Sequence, residues 1–133
     1  MLLDSNIIIY AAQPQYESLR EFIAQHAPFV SVISQVETLG YHKLTAEARS
    51  YFEEFFTASE VLPITDEVAL GAIQLRQQRR MTLGDSLIAA TALAFGLTLV
   101  TRNIDDFKWV PNLTLIDPFA EEASDGDGAD VSA

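Results

Sequence analysis

Four carboxylates stand where short apolar runs meet helix-like stretches: Asp4 in LLDSN, Glu37 in SVISQVETLGY, Asp85 in LGDSLIAATAL and Asp106 in LVTRNIDDF. Carboxylates brought together repel one another, and their pKa values rise unless a cation holds them. A hard, all-oxygen donor set without His or Cys selects Mg²⁺ or Mn²⁺. Such an ion activates water for attack on phosphorus and stabilises the leaving oxygen, the arrangement used in phosphodiester cleavage. Each acid also has a local explanation. Thr82-x-x-Asp85, Ser34-x-x-Glu37 and Asn103-x-x-Asp106 are spaced as capping boxes. Asp4 suits a turn between strand and helix. Asp85 poses the choice most sharply, because the helix it opens is apolar on almost every face and so expected to be buried. A carboxylate there is costly without a partner, although the helix macrodipole favours an anion at that end.

The elements that must position these acids can be read from periodicity and punctuation. The spacing predicts a strand through Leu3, then a short helix over about 6–12 capped by Ser5 or Asn6 and ended by Pro14. Helical spacing recurs over about 17–25, 46–58, 65–80 and 83–96, and a helix capped by Ser34 runs through Val36 and Leu39. Strands are expected at 29–32, 61–64, 97–101 and 113–116, with Pro63 confining one of them to a sheet edge. Strands alternating with helices predict an α/β domain: a central parallel sheet flanked by helices in three α/β/α layers. Ligand sites of such sheets lie beyond the carboxyl ends of the strands. That rule gives three or four of the acids one address. Asp85 fits least directly, since it precedes its strand.

Composition bounds the rest. At 133 residues the chain is of single-domain length, and 49% hydrophobic content is in the globular range. It has no cysteine, so disulfides and thiolate zinc sites are excluded. His26 and His42 are too far apart to suggest a histidine metal site. No run reaches the ~18 apolar residues of a membrane span, and MLLDSN lacks a basic signal-peptide region. A soluble, cytoplasmic protein is expected. The net charge of −11 argues against a nucleic-acid partner at first sight. Five of the 19 acids, and no base, fall in residues 120–133, AEEASDGDGADVSA, leaving 14 acids against 8 bases elsewhere. Those last residues have a disorder composition, and bound divalent cations would offset part of the remaining excess.

The four acidic blocks follow one another in the order and approximate spacing of those of PIN domains. The chain resembles the PIN-domain ribonuclease toxins of the VapC type over residues 1–119, with 120–133 as an acidic tail outside the pattern. The resemblance implies a Mg²⁺- or Mn²⁺-dependent endoribonuclease of the cytoplasm, a homodimer held in check by a cognate antitoxin. Carried over position by position, it makes Asp4, Glu37, Asp85 and Asp106 the acidic site. Asp4, Asp85 and Asp106 would carry the metal, and Glu37 would serve as a further ligand or as a water-orienting base. Asp106 rather than Asp105 matches the acid directly before Phe. Asn6 and Thr101 match polar positions lining the site, their alternatives being a helix cap and a strand-end hydroxyl.

RNA contact has a thinner basis. Arg76, Arg79 and Arg80 are spaced to share one side of a helix, and Arg102 follows a strand beside the proposed site. A solvated helix end complementing the dipole is the simpler reading of the trio. The stripe Tyr51, Phe52, Phe55 and Phe56 is core in part, with the remainder expected to serve a dimer or antitoxin contact. Other small α/β readings fit less well. A phospho-acceptor receiver domain would have Lys where Thr101-Arg102 stands, and an aspartyl-nucleophile phosphatase would have an acid where Asn6 stands. A PIN-like module without catalysis, serving only protein binding, is the alternative from another class.

Overall fold

The computed structural model describes residues 1–120. The acidic stretch from Glu121 onward, and with it the expectation for the tail, lies outside the described residues. The chain runs β1 (Leu2–Leu3), α1 (Ser5–Ala11), α2 (Glu17–His26), β2 (Val30–Ser31), α3 (Val32–Leu39), α4 (Ala46–Ala58), β3 (Val61–Leu62), α5 (Asp66–Gln78), α6 (Leu83–Ala94), β4 (Leu99–Val100), α7 (Ile104–Phe107) and β5 (Leu115–Ile116). Parallel pairing joins β1 to β4, β4 to β5, and β2 to β3. A parallel bridge between Leu2 and Phe29 links the two sets, so the strands lie in the order β3-β2-β1-β4-β5. The chain winds outward from β1 in one direction and resumes at β4 on its other side. The reversal leaves a crevice between the carboxyl ends of β1 and β4, where open α/β sheets take their ligands.

Successive strand residues point to opposite faces, and the core divides accordingly. Leu2 and Leu99 pack with Val68, Leu75, Ile88 and Phe107, under α5 and α6. Leu3 and Val100 pack with Ile7, Ile8, Leu19, Phe52 and Phe56, under α1, α2 and α4. These are the three α/β/α layers that the alternation of elements predicts. The stripe on α4 is therefore chiefly core: Phe52 and Phe56 are buried, and Tyr51 and Phe55 are half-buried.

α6 shows how local sequence sets an element that carries a site residue. Thr82 caps it, its hydroxyl accepting the Asp85 N–H at 3.1 Å. Ile88, Ala89, Ala90 and Ala92 are buried, so the helix is held along its length. It ends where Gly96 takes φ +65°, which glycine adopts without a side-chain penalty. The Leu97 N–H then reaches the Ala92 carbonyl at 2.8 Å, closing a Schellman end.

Four local expectations are corrected. α3 starts at Val32 and is capped by Ser31, whose hydroxyl accepts the Ile33 N–H at 3.1 Å. Ser34 is thus inside the helix and forms no capping box with Glu37. The two-residue strand β2 ends so early that the cap falls on Ser31. α5 stops at Gln78, and Arg79 is extended (φ −157°, ψ 151°), so Arg76, Arg79 and Arg80 do not share a helix face. Neither Ser5 nor Asn6 caps α1; Asp4 holds that position, without a side-chain cap bond. Likewise Asn103 makes no side-chain cap bond at α7.

Candidate active site

Asp4 is the residue at which β1 gives way to α1, and the sheet fixes it on the β4 side. Its N–H donates to the Val100 carbonyl at 2.9 Å. Its carboxylate Oδ2 accepts from the Thr101 hydroxyl at 2.9 Å. Thr101 is itself anchored, its N–H on the Ile116 carbonyl and its Oγ1 accepting the Asn103 N–H at 3.0 Å. Asp4 is only 4% exposed. Burial pushes its carboxyl up to about 6 from an ordinary 3.8; the Thr101 hydroxyl and the Ser5 N–H oppose this, and the Asp85 and Glu37 charges add to it. Two carboxylates from distant parts of the chain therefore share its field.

Asp85 occupies the first turn of α6 and is half-buried. Burial raises its pKa, the Asp106 charge raises it further, the Thr82 hydroxyl opposes, and Glu37 adds a smaller upward push. Thus Asp85 is the link: it feels both Glu37 and Asp106, whereas Asp4 feels Asp85 and Glu37. Asp106 is exposed on α7, beside the fully buried Phe107 that pins this short helix to the core. A cleft of about 480 Å³ is lined by Arg80, Met81, Thr82, Asp85 and Asp106.

Glu37 sits in the last turn of α3 and is held by α1. The Ser5 hydroxyl donates to its Oε1 at 2.6 Å, and Ser5 Oγ lies 2.8 Å from Ser34 Oγ. A Cβ on Gly84 would come within 2.6 Å of Glu37 Oε2. Sequence reasoning took Ser5 and Ser34 only as caps and passed over Gly84. The one available signal was adjacency, Ser5 to Asp4 and Gly84 to Asp85.

The donor set suits a hard divalent cation: four carboxylates, with neither His nor Cys among them. The Asp4 pKa is raised first by burial, and the charges of Asp85 and Glu37 raise it further, so a cation at this point would be met by several carboxylates. Among the described residues no three of these side chains close around a single point as a finished cage. The arrangement is a chain of neighbouring acids whose three outer members, Glu37, Asp85 and Asp106, retain access to solvent.

The other sequence-predicted positions scatter. Asn6 is exposed in the first turn of α1. Arg80 borders the acidic cleft. Arg79 lies over the Trp109 ring at 5.1 Å. Arg102 lies over Phe119 at 4.3 Å and Tyr10 at 5.2 Å, next in sequence to Thr101. Arg76 remains on the exposed last turn of α5.

The PIN domain family profile matches residues 1–113. The chain belongs to the PIN domain family. Among curated relatives it is similar to Ribonuclease VapC2 of Rickettsia felis, at 29% identity over 126 residues, 86% of this chain and 94% of that one. Its fold is similar to that of a chain in the crystal structure of VapBC2 from Rickettsia felis bound to a promoter DNA fragment. There the TM-score is 0.77 and identity 28%, over 86% of this chain and 96% of the other. A chain of DNA-bound VapBC from Salmonella typhimurium gives a TM-score of 0.78 at 26% identity, over 88% and 96%. The acids of this PIN domain thus occupy the end of the sheet at which its strand order reverses.

Proposed function

We propose that this PIN domain is a metal-dependent endoribonuclease and the toxin of a toxin–antitoxin pair, working in the cytoplasm as a homodimer. The observation that carries this reading is the shared field of Asp4, Glu37 and Asp85, drawn from β1, α3 and α6 to the crevice beyond β1 and β4. The similarity to Ribonuclease VapC2 and to chains of VapBC complexes supports RNA as substrate and an antitoxin as partner. No helix among the described residues is long and apolar enough to cross a membrane.

Asp4, Asp85 and Asp106 would hold Mg²⁺ or Mn²⁺, with Glu37 as a further ligand or as the group that orients water. When bound, such an ion supplies an activated water and charge for the developing oxyanion. The protein's part is placement. Thr101 locks the Asp4 carboxylate through Oδ2, and the rigid, buried α6 holds Asp85, as a catalytic constellation requires. Arg80 at the cleft and Arg102 beside Thr101 offer guanidinium groups to backbone phosphates, with Arg76 and Arg79 further out. Thr101 supports the site through the Asp4 carboxylate, and Asn6, exposed beside Ser5, would be a further polar group at its edge. Exposed Val36, Tyr41, Leu70, Ile73 and Leu83 provide apolar surface for protein partners.

The test is cleavage of a mixed RNA substrate by the purified chain with Mg²⁺ or Mn²⁺, and its loss on adding EDTA. Asp85→Asn and Asp106→Asn should each abolish cleavage with the fold retained. Binding of the antitoxin without any cleavage under these conditions would leave the protein-binding module instead.

A further inference from the structure

Glu37 is held at one carboxylate oxygen by the Ser5 hydroxyl, and its other oxygen lies close to α6 at Gly84, which has no side chain. Ser5 is 6% exposed and Ser34 fully buried, from α1 and α3 respectively. Their hydroxyls lie 2.8 Å apart, and Ser5 is 2.6 Å from Glu37 Oε1. Direction follows from donor counts. An ionised carboxylate only accepts, and each hydroxyl has one proton. Ser5 therefore donates to Glu37, and Ser34 must donate to Ser5. The 2.6 Å separation is that of a charge-assisted O–H···O⁻ bond. On the other side, Oε2 lies over Gly84, where any side chain would begin 2.6 Å away. Gly84 directly precedes Asp85 on α6, so the space it leaves lets Glu37 of α3 approach the start of α6.

We propose that Ser34, Ser5 and Gly84 form a seat for Glu37, fixing Oε1 on Ser5 and presenting Oε2 beside Asp85 as the single oxygen the site uses. The proposal rests on the metal-dependent reading above. It makes the three small residues positioning residues that act through Glu37. A merely structural pin between α1 and α3 would instead act independently of Glu37.

The experiment is a Mn²⁺ titration followed by the electron paramagnetic resonance signal of the free ion, with thermal melting of each metal-free variant alongside. Ser5→Ala, which releases Oε1, and Gly84→Ala, which displaces Oε2, should each weaken Mn²⁺ binding about tenfold, as loss of a ligand's supporting partner does. Gly84→Ala should melt no lower than wild type, because the added Cβ meets only side-chain atoms of Glu37 and no backbone, and alanine favours the helix. In the Glu37→Gln background neither substitution should weaken Mn²⁺ further. Should Ser5→Ala fail to fold, Ser34→Ala, which removes only the donor to Ser5, makes the same comparison with Gly84→Ala. Wild-type Mn²⁺ affinity in Ser5→Ala and Gly84→Ala, or losses that multiply with that of Glu37→Gln, would overturn the seat. Failure of the wild-type protein to bind Mn²⁺ at all would overturn the metal-dependent reading itself, and the seat with it.

Discussion

Replacing Asp4 by Asn should stabilise the metal-free protein at neutral pH while destroying its site. The carboxyl is buried and pushed from 3.8 to about 6, first by desolvation and then by the charges of Asp85 and Glu37. Between those values the unfolded chain has released this proton and the folded chain still holds it. The folded form binds more protons, so unfolding free energy falls as pH rises through that window. The contribution is fully present below about 3.8 and lost above about 6. A displacement of that size corresponds to about 3 kcal/mol. Asp4→Asn removes the titration and retains an oxygen for the Thr101 hydroxyl. Urea unfolding in EDTA at pH 4 to 7 measures it as the difference between the two proteins, which includes the coupling of Asp4 to Asp85 and Glu37. The variant should match wild type near pH 4 and exceed it by about 3 kcal/mol at pH 7. Saturating Mg²⁺ should reverse the order, because only the wild-type site gains binding energy. A variant less stable at pH 7, or a difference that does not change with pH, would refute the reasoning.

Thr82→Ala removes the hydroxyl that accepts the Asp85 N–H and should cost about 1 kcal/mol, typical of a lost helix cap; chemical denaturation at pH 7 measures it. Arg102→Ala should weaken RNA binding and lower the slope of log affinity against log salt by about 0.7, one phosphate contact on a single strand. Filter binding over a salt series with Asp85→Asn as parent avoids cleavage during the assay, and an unchanged slope would remove Arg102 from the RNA surface.

The layers were legible because burial writes itself into sequence: α4 spans the same residues, 46–58, that the helical spacing of its aromatic stripe predicts. The address of the acids was legible too, since a parallel sheet directs the residues after its strands to one end, and Asp4 and Thr101 meet there. What sequence could not resolve was competition between neighbouring caps. Ser31 and Ser34 are chemically alike, and the choice between them was made by where β2 stops pairing with β3. The arginine trio failed for a similar reason. Helical spacing of Arg76, Arg79 and Arg80 holds only if the helix continues, and α5 ends at Gln78. Expected strands of four or five residues shortened to hydrogen-bonded pairs such as Leu99–Val100, because apolar runs record burial rather than ladder length. The grip on Glu37 was hidden altogether. Ser5, Ser34 and Gly84 are small residues in three separate segments, and only tertiary packing brings them to one carboxylate.

The central claim is that these acids direct water at an RNA phosphodiester. The most direct measurement is end-group mass spectrometry of the cleavage products from a single turnover in H₂¹⁸O with Mg²⁺. Attack by water predicts linear phosphate ends carrying one ¹⁸O, formed by wild type and absent with EDTA or Asp85→Asn. A 2′,3′-cyclic phosphate end without ¹⁸O, produced equally in EDTA, would mean that the RNA's own 2′-hydroxyl is the nucleophile and would contradict the account.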